Sequence, residues 1–403
     1  MSSLSTIPQA LDTLRSGGMI IVVDDADREN EGDLIMAAQS VTEEQMAFLI
    51  RHTGGVVCLP LSNDIADQLD LPPMVESNTS HLKTPFTVSI DSADGITTGI
   101  SAYDRAHTIR IAISPVAKSD DFVRPGHVFP LRACDGGVLV RAGHTEASVD
   151  LCRLAGLRHG AILSELMHDD GTMMRMPALQ EFSREHNIPL ISIADLIAHR
   201  RQREVFVRLE ASSDLETSTG VWKMHVFSDT LTDEEHVALV KGKIDPLEPV
   251  LVRVHSECLT GDTFHSIHCD CGEQLNLAMH KIHEARKGVL LYMRQEGRGI
   301  GLANKIKAYQ IQQKEGLDTV EANQKLGFAD DLRDYGIGAQ ILKELNVGHL
   351  RMLTNNPKKI VGIEGYGLHV TEQVSLEPSS LHEKQKKYLS VKKEKMGHVL
   401  KEL

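Results

Sequence analysis

The chain reads as two unrelated α/β (α+β) domains, each a mixed sheet with helices packed around it, and three observations predict this. Its 403 residues exceed one ordinary core and suit two domains of about 200 residues each. Both halves alternate short apolar runs with amphipathic stretches, the pattern of layered sheets and helices. A charged run, His199-Arg200-Arg201-Gln202-Arg203-Glu204, closes a predicted helix beginning near Asp195, and no internal repeat relates the two sides. The expected domains are residues 1–200 and 201–403.

Composition narrows the function classes. Hydrophobic residues at 41% and charged residues at 25% are ordinary globular usage and argue against a largely disordered chain. No apolar run approaches the roughly 20 residues that span a bilayer, so no membrane partner is expected. The net charge of -13 disfavours nucleic-acid binding, which needs a clustered positive field, but leaves room for small phosphorylated substrates held by local arginines. The first residues, Met1-Ser2-Ser3-Leu4-Ser5, lack the basic and apolar parts of a secretory signal, and a cytoplasmic protein is expected.

Along the first half, residues 8–15 are predicted as a helix with Pro8 in its first turn, stopped by Gly17-Gly18. Residues 19–23 are a buried strand that empties into a polar loop at 24–33. Further strands are expected at 55–59, 86–90, 138–141 and 161–166. In the second half, strands are expected at 205–209 and 221–227 with a polar stretch between them through Ser218. Residues 288–293 are a strand running through a glycine-rich turn into a helix that reaches about Gln313. The lysine-rich residues 383–395 read as a solvated helix or tail.

Three polar clusters carry the chemistry of the first half. Asp24-Asp25-Ala26-Asp27-Arg28-Glu29-Asn30-Glu31-Gly32-Asp33 packs six carboxylates into ten positions around one cation, Arg28. A solvated loop and a hard-cation site are both open to such a run. Its place at the end of a buried strand, where α/β folds hold ligands, favours the cation. Arg141-Ala142-Gly143-His144-Thr145-Glu146 is expected after a strand and at a helix start, where an exposed Thr145 and its amides could hold a phosphate. Arg124-Pro125-Gly126-His127-Val128-Phe129-Pro130-Leu131-Arg132 frames a histidine between prolines, and Glu165 lies in an apolar stretch where it must be paired or functional. Cys58, Cys134 and Cys152 read as buried small hydrophobes.

These three motifs resemble those of 3,4-dihydroxy-2-butanone 4-phosphate synthase over about residues 1–200. The resemblance implies conversion of ribulose 5-phosphate to dihydroxybutanone phosphate and formate with Mg²⁺ (or Mn²⁺). It implies metal ligands at Glu29 and His144, and substrate contacts at Arg28, Glu29, Asp33, Arg141, Ala142, Gly143, His144, Thr145 and Glu165. It also ties His127 and Glu165 to catalysis and implies a homodimer with the site at its interface.

In the second half, Cys258, Cys269 and Cys271 crowd one polar segment without the paired Cys-x-x-Cys units of a structural zinc ribbon. Three thiolates with a fourth position for water suit a catalytic zinc; a structural site would add His255, His265 or His268. Arg294-Gln295-Glu296-Gly297-Arg298-Gly299 between strand and helix outlines a phosphate cradle that is neither a Walker loop nor a dinucleotide fingerprint. With Thr319-Val320-Glu321-Ala322-Asn323, Asp330-Asp331-Leu332-Arg333 and Thr354-Asn355-Asn356-Pro357-Lys358-Lys359, these residues resemble GTP cyclohydrolase II over roughly 205–400.

That second resemblance implies zinc on the three cysteines and hydrolysis of GTP to a diaminopyrimidine ribosylamine phosphate, formate and pyrophosphate, with Mg²⁺ on the GTP phosphates. It implies Asp331 as proton acceptor and Arg333 as the group acting at the α-phosphate. GTP contacts would fall at Arg253, Val254, His255, Ser256, Glu257, Gln274, Glu296, Gly297, Arg298, Thr319, Thr354 and Lys359, with Tyr309 beside the base or the zinc water. Two departures stand out: His268 replaces a common arginine, and residues 375–383 lack the usual asparagine-rich pattern. The expected whole is a bifunctional enzyme of riboflavin biosynthesis. Its rival is a live synthase fused to a second half that only binds GTP or zinc, or regulates.

Overall fold

A computed structural model describes residues 4–54, 56–328, 335–356, 363 and 366–376. The chain divides into two compact units, Met1–Arg203 and Glu204–Leu403.

In the first unit, α1 (Ile7–Arg15) starts at a capping box, Thr6 accepting from the Gln9 amide, and leads into β1 (Met19–Val23) and β2 (Gly32–Ala37). There follow α2 (Glu43–His52), β3 (Cys58–Leu61), α3 (Asn63–Gln68), β4 (Ile90–Ser92), α4 (Ala102–Ala112) and β5 (Phe122–Arg132). The unit ends with α5 (His144–Leu154), β6 (Ala161–Glu165), α6 (Met176–His186), β7 (Leu190–Ser192) and α7 (Ile193–Arg203). The strands form one mixed sheet in the order β4-β5-β3-β6-β2-β1-β7.

Every residue of β1 and β2 is buried, because both sheet faces are covered, and alternate side chains feed two cores. Ile21, Val23, Leu34 and Met36 meet α2, α4 and α6 through Met46, Leu49, Ile109, Leu179 and Phe182. Ile20, Val22 and Ile35 meet α1, α5 and α7 through Leu11, Leu14, Leu151 and Leu196.

In the second unit, β8 (Val207–Thr217), β9 (Gly220–Asp229) and β10 (Glu235–Lys241) form an antiparallel meander that pairs with β12 (Gly288–Met293). The rest of the sheet is parallel: β11 (Val250–Ser256), β12, β13 (His349–Leu353) and β14 (His369–Val374), giving the order β14-β13-β11-β12-β10-β9-β8. The crossover from β11 carries α8 (Leu259–Asp262) and α9 (Cys271–Ala285); that from β12 carries α10 (Gly301–Glu315), α11 (Thr319–Lys325) and α12 (Tyr335–Glu344). Strand β12 lies on one side of β11 and β13 on the other, so the strand order reverses at β11. That switch point opens a crevice at the carboxyl ends of the parallel strands.

Several sequence expectations need correction. Residues 138–141 are not a strand: Gly136 and Gly137 take φ of 83° and 62°, and Gly137–Leu139 is a 3₁₀ turn whose Val138 amide donates to Asp150. The strand expected at 55–59 is β3, shifted to Cys58–Leu61, and that at 86–90 is β4, with Phe86 and Thr87 making only isolated bridges. The polar stretch before Ser218 is strand, an exposed edge whose backbone pairs with β9 and whose side chains had no core to record. Cys134 is exposed, unlike Cys58 and Cys152, and Thr145 is buried rather than exposed.

Among the described residues, no helix is long and apolar enough to cross a membrane.

Candidate active sites

In the first unit the acidic run is the hairpin loop between β1 and β2, and Asp24 organises it. Its carboxylate accepts from the amides of Glu29 and Glu31, both at 2.9 Å, and from Arg28 Nη1 at 3.0 Å. The loop thereby turns Glu29 toward the N-terminus of α5. His144 Nδ1 lies 3.4 Å from Glu29 Oε2 and 3.8 Å from Asp33 Oδ1. His144 Nε2 faces the Val22 carbonyl at 3.1 Å; with the proton there, Nδ1 presents its lone pair to the carboxylates. Asp24, Glu29 and His144 offer ligand atoms that lie within 4.8 Å of one another.

The electrostatics favour a bound positive charge. Burial alone would lower the His144 pKa, yet Asp33, Glu29 and Asp24 raise it to about 9. Burial lifts Asp33 to about 7, against the pull of His144, and its Oδ1 is buried without a hydrogen-bond partner. A divalent cation on these oxygens and the Nδ1 lone pair would take over the role of the proton. The register pairs Asp33 with Glu165 across β2 and β6, which sets Glu165 at the rim.

The phosphate-type cluster also assembles. Helix α5 begins at Gly143 with no side-chain cap, leaving its first amides for a ligand. A Cβ at Gly143 would stand 2.7 Å from Arg141 Nη1 and 3.1 Å from Arg28 Nη2, so both guanidinium groups converge on that turn. Arg141 is braced by the buried Glu146 at 2.6 Å. Ala142 joins Arg141 to this turn, and Thr145 is buried within its first residues. His127 stands apart from the cluster. It lies on β5, three strands from β2, and its Nδ1 is 2.7 Å from the buried Asp91, which also accepts its backbone N–H at 2.9 Å. Gly99, at φ 94°, makes room for this pair: a Cβ there would lie 2.2 Å from Asp91 Oδ2 and 2.5 Å from His127 Nδ1.

In the second unit the crevice at β11 is a cleft of about 160 Å³. Arg253 and His255 point into it from alternate positions of β11, while Val254 turns to the opposite face, toward Gly338 of α12. Ser256, Glu257, Gln274, Glu296, Gly297, Arg298, Tyr309, Thr319 and Thr354 also line it. Asp331, Arg333 and Lys359 lie outside the described residues.

The three cysteines meet at the cleft floor. Cys258 Sγ is 3.7 Å from Cys269 Sγ, and the three sulfurs lie within 4.8 Å of one another. A tetrahedral ion with Zn–S bonds of about 2.3 Å needs sulfurs about 3.8 Å apart, so the donor set fits zinc with one position facing the cleft. The approach depends on Gly261, where a Cβ would sit 2.8 Å from Cys269 Sγ and 3.1 Å from Cys258 Sγ. Asp262 anchors the turn, accepting from the Cys258 amide at 3.0 Å and Tyr292 Oη at 2.9 Å, with His255 Nε2 at 3.1 Å. The hydrogen-bonding neighbours Cys269 and Cys271, then Lys305, hold the Cys258 thiol far below its usual range, while the bond to Cys258 pushes Cys269 up to about 11. His268 is exposed, with its ring 5.7 Å from that of Tyr309.

Sequence reasoning missed two groups here. Asp24 was one of six acids in its loop, and only its place directly after β1 sets it apart. Lys305 lines the cleft from α10 on the same face as Ala308, Tyr309 and Gln312, a spacing of three, four and seven that could have revealed it.

Comparison with known proteins assigns a family to each half of the chain. Residues 8–199 match the family model of 3,4-dihydroxy-2-butanone 4-phosphate synthase, and residues 208–375 that of GTP cyclohydrolase II. The riboflavin biosynthesis protein RibBA of Aquifex aeolicus is 57% identical over 98% of both chains, and that of Bacillus mycoides is 54% identical over 98% of both. A crystal structure of RibBX, a two-domain 3,4-dihydroxy-2-butanone 4-phosphate synthase from A. baumannii, is 34% identical, with a TM-score of 0.68 over 92% of this chain and 100% of that one. The chain belongs to the family of bifunctional riboflavin biosynthesis enzymes that join 3,4-dihydroxy-2-butanone 4-phosphate synthase to GTP cyclohydrolase II.

Proposed function

We propose that the unit ending at Arg203 carries out the synthase reaction and the unit from Glu204 the cyclohydrolase reaction, each in the site described above. The convergence of Asp24, Glu29 and His144 on one point supports the first assignment. Glu29 and His144 hold Mg²⁺ (or Mn²⁺), with Asp24 as a further donor or as the brace of the loop. The ion supplies stabilisation of the negative charge that develops on an enediol. Arg28, Arg141 and the first amides of α5 bind the phosphate of ribulose 5-phosphate; Ala142, Gly143 and Thr145 shape that turn. Asp33 and Glu165 stand where substrate hydroxyls and moving protons come, and His127, oriented by Asp91, is an acid–base group of the reaction. Two copies assemble as a homodimer, with the site at the interface.

In the second unit Cys258, Cys269 and Cys271 hold zinc, which supplies Lewis acidity for an attacking water. The mutual spacing of the sulfurs, open to the cleft, carries this assignment. Arg253, His255, Ser256, Glu257, Gln274, Gly297, Arg298, Thr319, Thr354 and Lys359 enclose GTP, and Tyr309 flanks the base or the water. Glu296 has both oxygens engaged by the chain, with the Leu259 and Gly297 amides and Lys305, so its part in GTP binding is indirect. Asp331 accepts a proton, Arg333 acts at the α-phosphate, and Mg²⁺ accompanies the phosphates. Both substrates are small cytoplasmic metabolites, and neither nucleic acid nor membrane is a partner. The test is metal content by mass spectrometry alongside formate release. One zinc per chain, lost in Cys269→Ser together with formate from GTP, is expected; a zinc-free chain that still opens GTP would refute the assignment.

A further inference from the structure

The thiolate cluster is not finished by its three cysteines. Three thiolates around a divalent ion leave one net negative charge, and a buried negative charge needs a partner. Lys305 supplies one. It is 8% exposed, and its ammonium donates to Cys258 Sγ at 3.2 Å and to Glu296 Oε1 at 2.8 Å. Glu296 is itself fixed: its other oxygen accepts from the Leu259 amide at 2.7 Å, in the turn that carries Cys258. Lysine, carboxylate and cysteine loop thus form a closed circuit beneath the cleft, and Nζ lies 5.9 Å from the centre of the Tyr309 ring.

We propose that Lys305 is a positioning residue of the zinc centre, acting through Cys258: its ammonium, aimed by Glu296, hydrogen-bonds the thiolate, withdraws electron density from it and leaves the ion more Lewis-acidic toward the cleft. A hydrogen bond to a ligand sulfur lowers the energy of its lone pairs, and outer partners of this kind commonly change metal affinity or activity about 10–100-fold. The inference rests on the zinc assignment made above.

The test uses the full chain loaded with Co²⁺ or Zn²⁺. In the Co²⁺ form of Lys305→Met, the sulfur-to-cobalt charge-transfer band is expected at longer wavelength than in the unaltered chain. Alkylation of the Zn²⁺ form by iodoacetamide is expected to quicken about tenfold. Lys305→Arg, which keeps a cationic donor, is expected to restore most of both, and far-ultraviolet circular dichroism with the thermal unfolding curve of the full chain reports that the second unit of each variant is folded. An unaltered chain with the charge-transfer band, beside a folded Lys305→Met identical to it in band and alkylation rate, overturns the proposal alone. An unaltered chain that shows no thiolate–cobalt band overturns the zinc assignment and the proposal with it.

Discussion

Candidate site residues are readable in sequence when their type is costly to place without a reason. Three cysteines in a polar segment and a histidine beside an acidic loop are of that kind, and the structure brings each set to a point. Lys305 was overlooked, because a lysine on a helix ordinarily reads as solvated; its spacing from Ala308, Tyr309 and Gln312 was the one local signal, and packing shows it buried against Cys258. A metal-binding prediction follows from His144. Its carboxylate neighbours hold a proton on it up to about 9, and a histidine ligand must be neutral. Below that pH, Mg²⁺ must displace the proton, so its affinity is expected to rise between pH 7 and 9 with close to one proton released per ion. Calorimetry in buffers of different ionisation heat reads this directly; uptake at pH 7 without proton release would contradict it. The sign for folding is the reverse: in the metal-free chain the raised pKa stabilises the fold at low pH, and that contribution is lost as pH climbs through about 9.

At the scale of elements, β1, β6 and β12 were legible because burial imposes continuous apolar runs on them. Strand β8 was legible only at its start, within the run expected at 205–209; the rest was not, since an edge exposed to water along nearly its whole length leaves only backbone pairing to define it. The turn at Gly137–Leu139 looked like a strand because its apolar run hides two glycines at positive φ. Elements meet at two glycines whose replacement has separable results. Gly99→Ala would push a methyl group into the Asp91–His127 pair and strain a backbone at φ 94°, at a cost of about 1–3 kcal/mol. Formate from ribulose 5-phosphate should fall sharply while formate from GTP persists; unchanged synthase kinetics would show that the pair does no chemical work. Gly261→Ala should do the opposite by driving the three sulfurs apart, lowering zinc affinity about tenfold or more in a chelator competition. Retention of wild-type zinc affinity would mean the turn relaxes freely.

At the scale of the molecule, the two compact units carry separate sheets and separate donor sets, carboxylates with a histidine in one and thiolates in the other, and no motif residue of one reaction lies in the other unit. The fold class and the division near residue 200 followed from length, alternation and one charged run, whereas the switch point at β11 depends on strand order, which no local pattern records. Independence of the two sites is the central claim. It is tested most directly by formate release from the purified chain and its Cys269→Ser variant, with ribulose 5-phosphate plus Mg²⁺ in one tube and GTP plus Mg²⁺ and zinc in the other. The unaltered chain should release formate in both tubes and the variant only in the first. Silence of the unaltered chain with GTP, or loss of both activities in a folded variant, would contradict the account.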